Sequence, residues 1–188
     1  MVETEIKLAW ADTADAARSF LEGNHYDCEQ PRHLESDTLF DRLGPNDLGE
    51  LQCERKALRL RRTRSGAIIT YKGPPSEGPH KSREEIEFST SSPDAAQLVL
   101  ERLGYQPWFR YEKYRSIFRA ENQPGIITLD ETPMGIFLEL EGPAEWIDST
   151  ARALGFGPSV YITASYAALY RAYREKYPQA PRDMVFVS

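Results

Sequence analysis

Polar and apolar residues alternate from the first residues of the chain. Val2-Glu3-Thr4-Glu5-Ile6-Lys7-Leu8 puts Glu3, Glu5 and Lys7 on one face of an extended strand, with Val2, Ile6 and Leu8 mostly on the other. The same period of two returns further along. In Ala57–Thr63, Leu58 and Leu60 oppose Arg59, Arg61 and Thr63. Ser65-Gly66 turns the chain into Ala67–Lys72, where Thr70 and Lys72 oppose Ile69 and Tyr71, the pattern of a hairpin. Ser82–Ser89 sets Arg83, Glu85 and Glu87 against Ile86 and Phe88. Pro107–Ala120 reads as one long strand with a bend or bulge, in which Phe109, Tyr111, Lys113 and Arg115 share parity. Ile126–Asp130 and Ile136–Glu141 follow, the latter with Phe137, Glu139 and Glu141 on one face. Tyr26–Gln30 and Leu34–Leu43 read as two further strands, the second carrying Glu35, Asp37, Phe40 and Asp41.

Helical spacing marks the connections. Asp12 to Gly23 has a capping residue, an apolar stripe of Ala16, Ala17, Phe20 and Leu21, and a terminal glycine. Ser92-Pro93-Asp94 opens a second helix that Gly104 closes; Gly142-Pro143 opens a third that ends near Gly155; Ser165 to Tyr177 forms a last one. Gly44-Pro45-Asn46-Asp47 is a turn, residues 46–55 a loop or a single helical turn, and 74–81, rich in Pro, Gly and Ser, a mobile loop. About eight or nine strands and four helices, with hairpins dominating, make an α+β fold. Closing so many strands into a barrel removes exposed edges, and about eight strands leave room for one small ligand. Residues 1–177 are expected to be a single domain, with 178–188 as a C-terminal tail.

Composition narrows the class. Hydrophobic residues make up 40% and charged residues 28% of 188, as in soluble globular proteins. A net charge of -6 argues against nonspecific binding to nucleic acid. No apolar run approaches the ~18 residues of a membrane span, and no basic-then-apolar leader is present, so a cytoplasmic location is expected. Cys28 and Cys53 match no zinc spacing and are expected as thiols, with a 28–53 disulfide left open.

The charged faces carry the chemistry. Acids and bases recur together, in E-x-E and R-x-R units, on strands whose opposite faces are apolar and have helices to cover them. If the helices lie outside, the charges point into the barrel. A mixed-charge interior is costly unless ions complete it. Carboxylate clusters offer hard oxygen ligands to Mg²⁺ or Mn²⁺; Arg and Lys offer forked and point-charge contacts to phosphates. A metal-bound triphosphate suits both.

These residues also carry a resemblance. Glu3-Thr4-Glu5-Ile6-Lys7, Leu58-Arg59-Leu60-Arg61, Tyr71-Lys72-Gly73-Pro74, Arg83-Glu84-Glu85-Ile86-Glu87, Glu112-Lys113-Tyr114-Arg115, Leu129-Asp130 and Gly135-Ile136-Phe137-Leu138-Glu139-Leu140-Glu141 resemble, in order, the motifs of the CYTH superfamily. These are the triphosphate tunnel metalloenzymes, which include class IV adenylyl cyclases, thiamine triphosphatases and inorganic tripolyphosphatases. The resemblance spans roughly residues 2–170. It implies a closed eight-stranded antiparallel β-barrel, a tunnel with helices packed outside, together with a divalent metal and a triphosphate partner such as ATP, tripolyphosphate or thiamine triphosphate.

On this resemblance Glu3 and Glu5 are metal ligands, with Glu139 and Glu141 across the tunnel, either of which coordinates. Lys7, Arg59, Arg61, Lys72, Lys113 and Arg115 form the phosphate cradle, with Arg83 as a further base. Glu85 and Glu87 hold a second metal or orient basic partners. Asp130 assists that metal or positions an attacking group. The compact size and the 130–141 segment are similar to the class IV adenylyl cyclase branch. Cyclisation of ATP to cyclic AMP and pyrophosphate, and hydrolysis of a triphosphate, both remain open. A binding module without turnover is the third reading. A homodimer is among the open oligomeric states.

Other residues have plainer readings. His25, His33 and His80 are expected on the surface. Trp108 and Phe109 pack at the start of a strand, or stack on a base at a tunnel mouth. Ser165-Tyr166 caps a helix rather than supplying a nucleophile, and Tyr170, Tyr173 and Tyr177 form a packing stripe.

Overall fold

The computed structural model describes residues 1–44 and 49–187; the turn expected at 44–47 and the start of the 46–55 segment therefore lie largely outside the described residues. The chain runs β1 (Val2–Trp10), α1 (Ala14–Gly23), β2 (Asp27–Asp41), α2 (Glu50–Cys53), β3 (Ala57–Thr63), β4 (Gly66–Lys72), β5 (Lys81–Thr90), α3 (Pro93–Arg102), β6 (Gln106–Arg119), β7 (Ile126–Thr132), β8 (Gly135–Glu141), α4 (Ala144–Ala153) and α5 (Tyr166–Lys176), with a 3-10 turn at Pro158–Val160. The strands close into a barrel in the order β1-β5-β4-β3-β2-β6-β7-β8, every pairing antiparallel.

Both faces of the alternating strands are buried, for different reasons. On β1, Glu5, Ile6, Lys7 and Leu8 are all buried in succession. The even positions face outward into an apolar layer: Ile6 and Leu8 join Ile127, Leu129, Leu138 and Leu140 against Ala17 and Leu21 of α1 and Trp146, Ile147 and Ala151 of α4. A second layer sets Phe40, Leu60, Ala67 and Ile69 against Ala96 and Leu100 of α3. With the apolar faces covered from outside, the charged faces line the interior.

Several local expectations shift. Tyr26–Gln30 and Leu34–Leu43 are one continuous strand, β2. Its register against β6 jumps between Gln30 and His33, an irregularity that absorbs Pro31, which has no N–H for the ladder. Thr13, not Asp12, caps α1: its hydroxyl accepts from Ala16 N at 3.2 Å, while Asp12 accepts from Thr13 N. Gly23 stays helical, and the left-handed residue after α1 is His25, with φ 65°. The fifth helix is the single turn α2. His80 is largely covered, with Nε2 2.8 Å from Asp148 Oδ1 on α4. Ser165 caps α5 by accepting from Ala168 N.

One end of the barrel is built differently. The β1–β5 register stops at Glu5, and β6–β7 pairing begins only at Tyr114. Both gaps are filled by segments flanking α5. Lys7 and Ile162 exchange backbone hydrogen bonds at 2.8 and 2.9 Å. Met184, fully buried, accepts from Glu112 N at 2.7 Å and donates to Arg110 O at 3.0 Å. The segment expected as a tail thus adds a parallel bridge to β6. Between the two repairs α5 brings Tyr166 and Tyr170 onto Leu39, Phe109 and Phe137, which carry the inward parity of their strands. The Tyr170–Tyr173–Tyr177 stripe packs ring to ring.

The α2 turn, which borders the interior, hangs on Asp41. Its buried carboxylate accepts from Arg42 N (2.8 Å), Leu51 N (2.9 Å) and Gln52 N (3.1 Å). Asp41→Ala strands these donors and is expected to cost about 2 kcal/mol; urea unfolding monitored by circular dichroism checks this, and an unchanged midpoint would contradict it.

Candidate active site

The barrel encloses a cavity of about 660 Å³. Nearly all the charged residues singled out from the sequence line it: Glu3, Glu5, Lys7, Arg59, Arg61, Lys72, Arg83, Glu85, Glu87, Lys113, Arg115, Glu139 and Glu141. Asp130 does not. It is fully buried behind the lining, gripped by Lys113 Nζ at 2.8 Å and by Arg115 Nε and Nη2 at 2.6 Å, with the Tyr166 hydroxyl donating at 2.7 Å.

Acids and bases are not evenly mixed. Glu3, Glu5 and Glu141 converge, with one oxygen from each within 4.8 Å of the others. Cross-strand register explains this: Glu5 of β1 sits opposite Glu141 of β8, and Glu3 shares Glu5's face. Burial pushes the Glu3 carboxyl up to about 8; Lys72 opposes this, while Glu85 and Glu141 add to it. Burial also pushes Glu141 up to about 7, with Arg115 opposing and Glu139 and Glu5 adding. An all-oxygen set of crowded carboxylates fits a hard divalent cation, which would relieve their repulsion. Glu139 takes a different place. Its carboxylate binds Lys7 Nζ at 2.8 Å, Lys113 Nζ at 3.8 Å and the Arg115 guanidinium. Although burial opposes ionisation, Lys7, Lys113 and Arg115 hold Glu139 down at about 2.

The bases show the complementary crowding. Burial, then Arg59 and Arg83, lower the Lys72 ammonium below its usual range, with Glu85 opposing. Burial and Lys7 push Lys81 down to about 8, against the pull of Glu5. Arg59 donates from Nη2 to Thr70 Oγ1 at 2.9 Å, but its buried Nε finds no hydrogen-bond partner among the described residues; Asp37 Oδ1 lies 4.0 Å away. Lysines depressed by burial and neighbouring cations and a guanidinium with an idle donor describe a wall suited to an anion.

The remaining residues are braced. Arg61 is engaged on both sides, by Asp37 at 2.7 and 2.8 Å and by Glu35 at 2.5 Å. Burial works against ionised Asp37, yet Arg61 and Arg59 hold it down at about 2. Lys7 is 2% exposed and bonds Glu5 and Glu139; despite burial, those carboxylates raise it above the usual lysine range. Glu85 accepts from Lys72 (2.7 Å) and Arg83 (3.0 Å). Glu87, exposed at the rim, accepts from Thr70.

Sequence reasoning passed over Lys81, Glu35, Asp37 and Tyr166. Lys81 Nζ lies 2.6 Å from Glu5 Oε1 and shares parity with Arg83 and Glu85; starting β5 one residue earlier exposes the signal. Glu35 and Asp37 form an acidic unit of the same period on β2. Tyr166 opens a helix, so no strand pattern marks it. The free cysteines, Cys28 and Cys53, are exposed.

Comparison with known proteins points the same way. A Methanocaldococcus jannaschii protein named a candidate adenylate cyclase is 34% identical over 86 residues, 46% of this chain and 49% of its own length, so the match spans about half of that relative. A candidate adenylate cyclase structure from Vibrio parahaemolyticus superposes with TM-score 0.74 at 22% identity, covering 91% of this chain and 98% of its own. A Hippeastrum candidate adenylyl cyclase, described as having a dominant triphosphatase activity, superposes with TM-score 0.65 at 21% identity, covering 91% and 96%. At these identities the structural likeness is one of fold. The CYTH domain family matches residues 1–152, and the chain belongs to that family.

Proposed function

We propose that the barrel is a divalent-metal-dependent enzyme that binds a triphosphate inside its cavity and converts ATP to cyclic AMP and pyrophosphate. The observation that carries this is the segregation within one cavity: three converging carboxylates on one side, with Glu3 and Glu141 raised by burial and Glu5 held ionised, against burial, by Lys7 and Lys81, and crowded cations around Lys72 on the other. Phosphate binding alone needs the cations and gives Glu3 and Glu141 no task, which weighs against a binding module without turnover.

Glu3, Glu5 and Glu141 would hold the metal, with Glu141 rather than Glu139 as the β8 ligand, because it is Glu141 whose oxygen lies within 4.8 Å of those of Glu3 and Glu5. A bound Mg²⁺ or Mn²⁺ supplies charge neutralisation at phosphate oxygens and a template for in-line displacement. Arg59, Lys72 and Arg83 take the triphosphate from the crowded wall. Lys7, Lys113, Arg115 and Arg61 are held by their carboxylate braces and contribute fixed positive field, which costs no reorganisation during the reaction. Asp130 acts from behind, holding Lys113 and Arg115 in place. Glu85 orients Lys72 and Arg83, and Glu87 keeps Thr70 and Arg59 in register at the rim. In cyclisation the ribose 3′-oxygen bonds to the α-phosphorus, the bond from that phosphorus to the pyrophosphate oxygen breaks, and the 3′-hydroxyl proton passes to water.

Hydrolysis is the second reading, favoured by the triphosphatase activity described for the Hippeastrum neighbour. The same lining then serves water attack on a terminal phosphorus. Incubation with ATP, tripolyphosphate and thiamine triphosphate, each with Mg²⁺ or Mn²⁺, separates the readings. Cyclic AMP with pyrophosphate identifies the cyclase and orthophosphate the hydrolase; no turnover of any substrate contradicts both.

Three further outcomes are expected. Glu141→Gln mimics the protonated carboxyl, so the fold should persist while Mn²⁺ affinity falls by about tenfold or more; calorimetric titration reads this, and unchanged affinity removes Glu141 from the metal site. In the wild type, metal must displace protons from Glu3 and Glu141, whose carboxyls sit near 8 and 7. Mn²⁺ affinity should therefore rise from pH 6 to 8, with proton release visible as buffer-dependent heat. Arg59→Ala should raise KM for the triphosphate by about ten- to a hundredfold, the value of a charge-assisted contact; an unchanged KM and kcat would take Arg59 out of the cradle.

A further inference from the structure

The cavity is not charged throughout. Where β2 meets β6, the register passes from Leu39 opposite Phe109 to Phe40 opposite Pro107. Trp108 is the extra residue of a β-bulge. Alternation alone would send its ring to the face opposite Phe109, away from the interior; a bulge re-aims a side chain, and Trp108, half-buried, lines the cavity. Its ring stacks on Phe109 at a centroid distance of 5.5 Å and an interplanar angle of 30°. Leu39 and, from the first turn of α5, Ala167 and Ala168 line the cavity with it.

The bulge is held from outside. Arg182 Nη2 donates to the Trp108 carbonyl at 3.3 Å, and Asp183 Oδ1 accepts from Arg110 N at 3.0 Å. The C-terminal segment thus fixes the backbone on both sides of the ring. The aromatic patch also adjoins the anion wall: Arg59 pairs across from Leu39, and Leu39 across from Phe109. Two strand spacings, about 10 Å, separate the β6 aromatics from the Arg59 backbone.

We infer that Trp108 is the specificity-determining residue for a planar heterocycle, so that the substrate class is a triphosphate carrying an aromatic ring, such as a nucleoside triphosphate, rather than bare tripolyphosphate. This rests on the triphosphate reading above. Small side chains beside an aromatic plate leave space for a ring to stack, and stacking tolerates any base because each presents a π-face. A site for inorganic polyphosphate has no use for this apolar patch.

Calorimetric titration with α,β-methylene ATP and with tripolyphosphate, each with Mg²⁺, on the wild type, Trp108→Ala and Trp108→Phe tests the inference. The wild type should bind the nucleotide analogue more tightly than tripolyphosphate. Trp108→Ala should weaken the analogue by about tenfold to a hundredfold, the worth of one stacked base, with tripolyphosphate affinity within about twofold. Trp108→Phe, which keeps a ring in the core, should retain most of the affinity and controls for folding. Equal losses for both ligands, or none for the analogue, overturn the assignment. A wild type that binds tripolyphosphate at least as tightly as the analogue overturns it and leaves the triphosphate reading standing; one that binds neither removes both.

Discussion

The structure depends on one constraint: ionised side chains enclosed in a barrel must neutralise one another or await an ion. Lys7 shows how tightly this binds. It is 2% exposed, and both of its carboxylate partners, Glu5 on its own strand and Glu139 on β8, reach it below 3 Å. Removing one partner from such a buried pair costs about 3–5 kcal/mol, so the lining holds together as a network. Arg61 between Asp37 and Glu35, and Asp130 between Lys113 and Arg115, repeat the arrangement around the wall. An equally well-packed apolar interior would be as stable or more so, which makes these charges intelligible as apparatus for a ligand.

Against that network the incomplete places stand out. Glu3 and Glu141 have more negative charge than the nearby bases offset, and Lys72, beside Arg59 and Arg83, has the reverse. Neither fault is repaired by the other, although both line one cavity. Glu5 is already met by Lys7 and Lys81; a further lysine beside Glu3 and Glu141 would satisfy those two carboxylates in the same way. The separation is maintained by register: β1 against β8 gathers the acids, and β3, β4 and β5 gather the bases.

Much of this was legible in the sequence, and the reason is geometric. A strand has a side-chain period of two, so Glu3, Glu5 and Lys7, or Lys113 and Arg115, declare a shared face without any knowledge of their partners. The closed barrel follows because the opposite faces are apolar and helices flank them. What stayed hidden depends on departures from that period. Pro31 joins two apparent strands through an irregularity in register. Glu35 and Asp37 are periodic, but their role as braces exists only once β3 and β6 lie beside β2. Asp130 has the right parity, yet its place behind the lining is set by Lys113, Arg115 and a tyrosine from a helix. Tyr166 and Met184 gain their positions from gaps in the barrel wall, which no single strand reveals.

Those gaps connect the frame to the choice of substrate. A fully laddered barrel would present alternating side chains to its end of the cavity, with no reason for a tryptophan to turn inward. Here the β1–β5 and β6–β7 pairings both stop short, and the chain after α4 fills each in turn, at Ile162 and at Met184. The second repair runs beside residues 108–112 and grips the bulge that carries Trp108. The element that closes the barrel therefore also shapes the apolar side of the cavity, while the strands shape its charged side. On the proposed reading, the strands hold the phosphates, and α5 with the C-terminal segment that grips β6 shapes the place of the group attached to them. The two sides of the cavity share one frame, because Tyr166 of α5 donates to Asp130 and so ties the helix that borders the apolar side to the buried charge network.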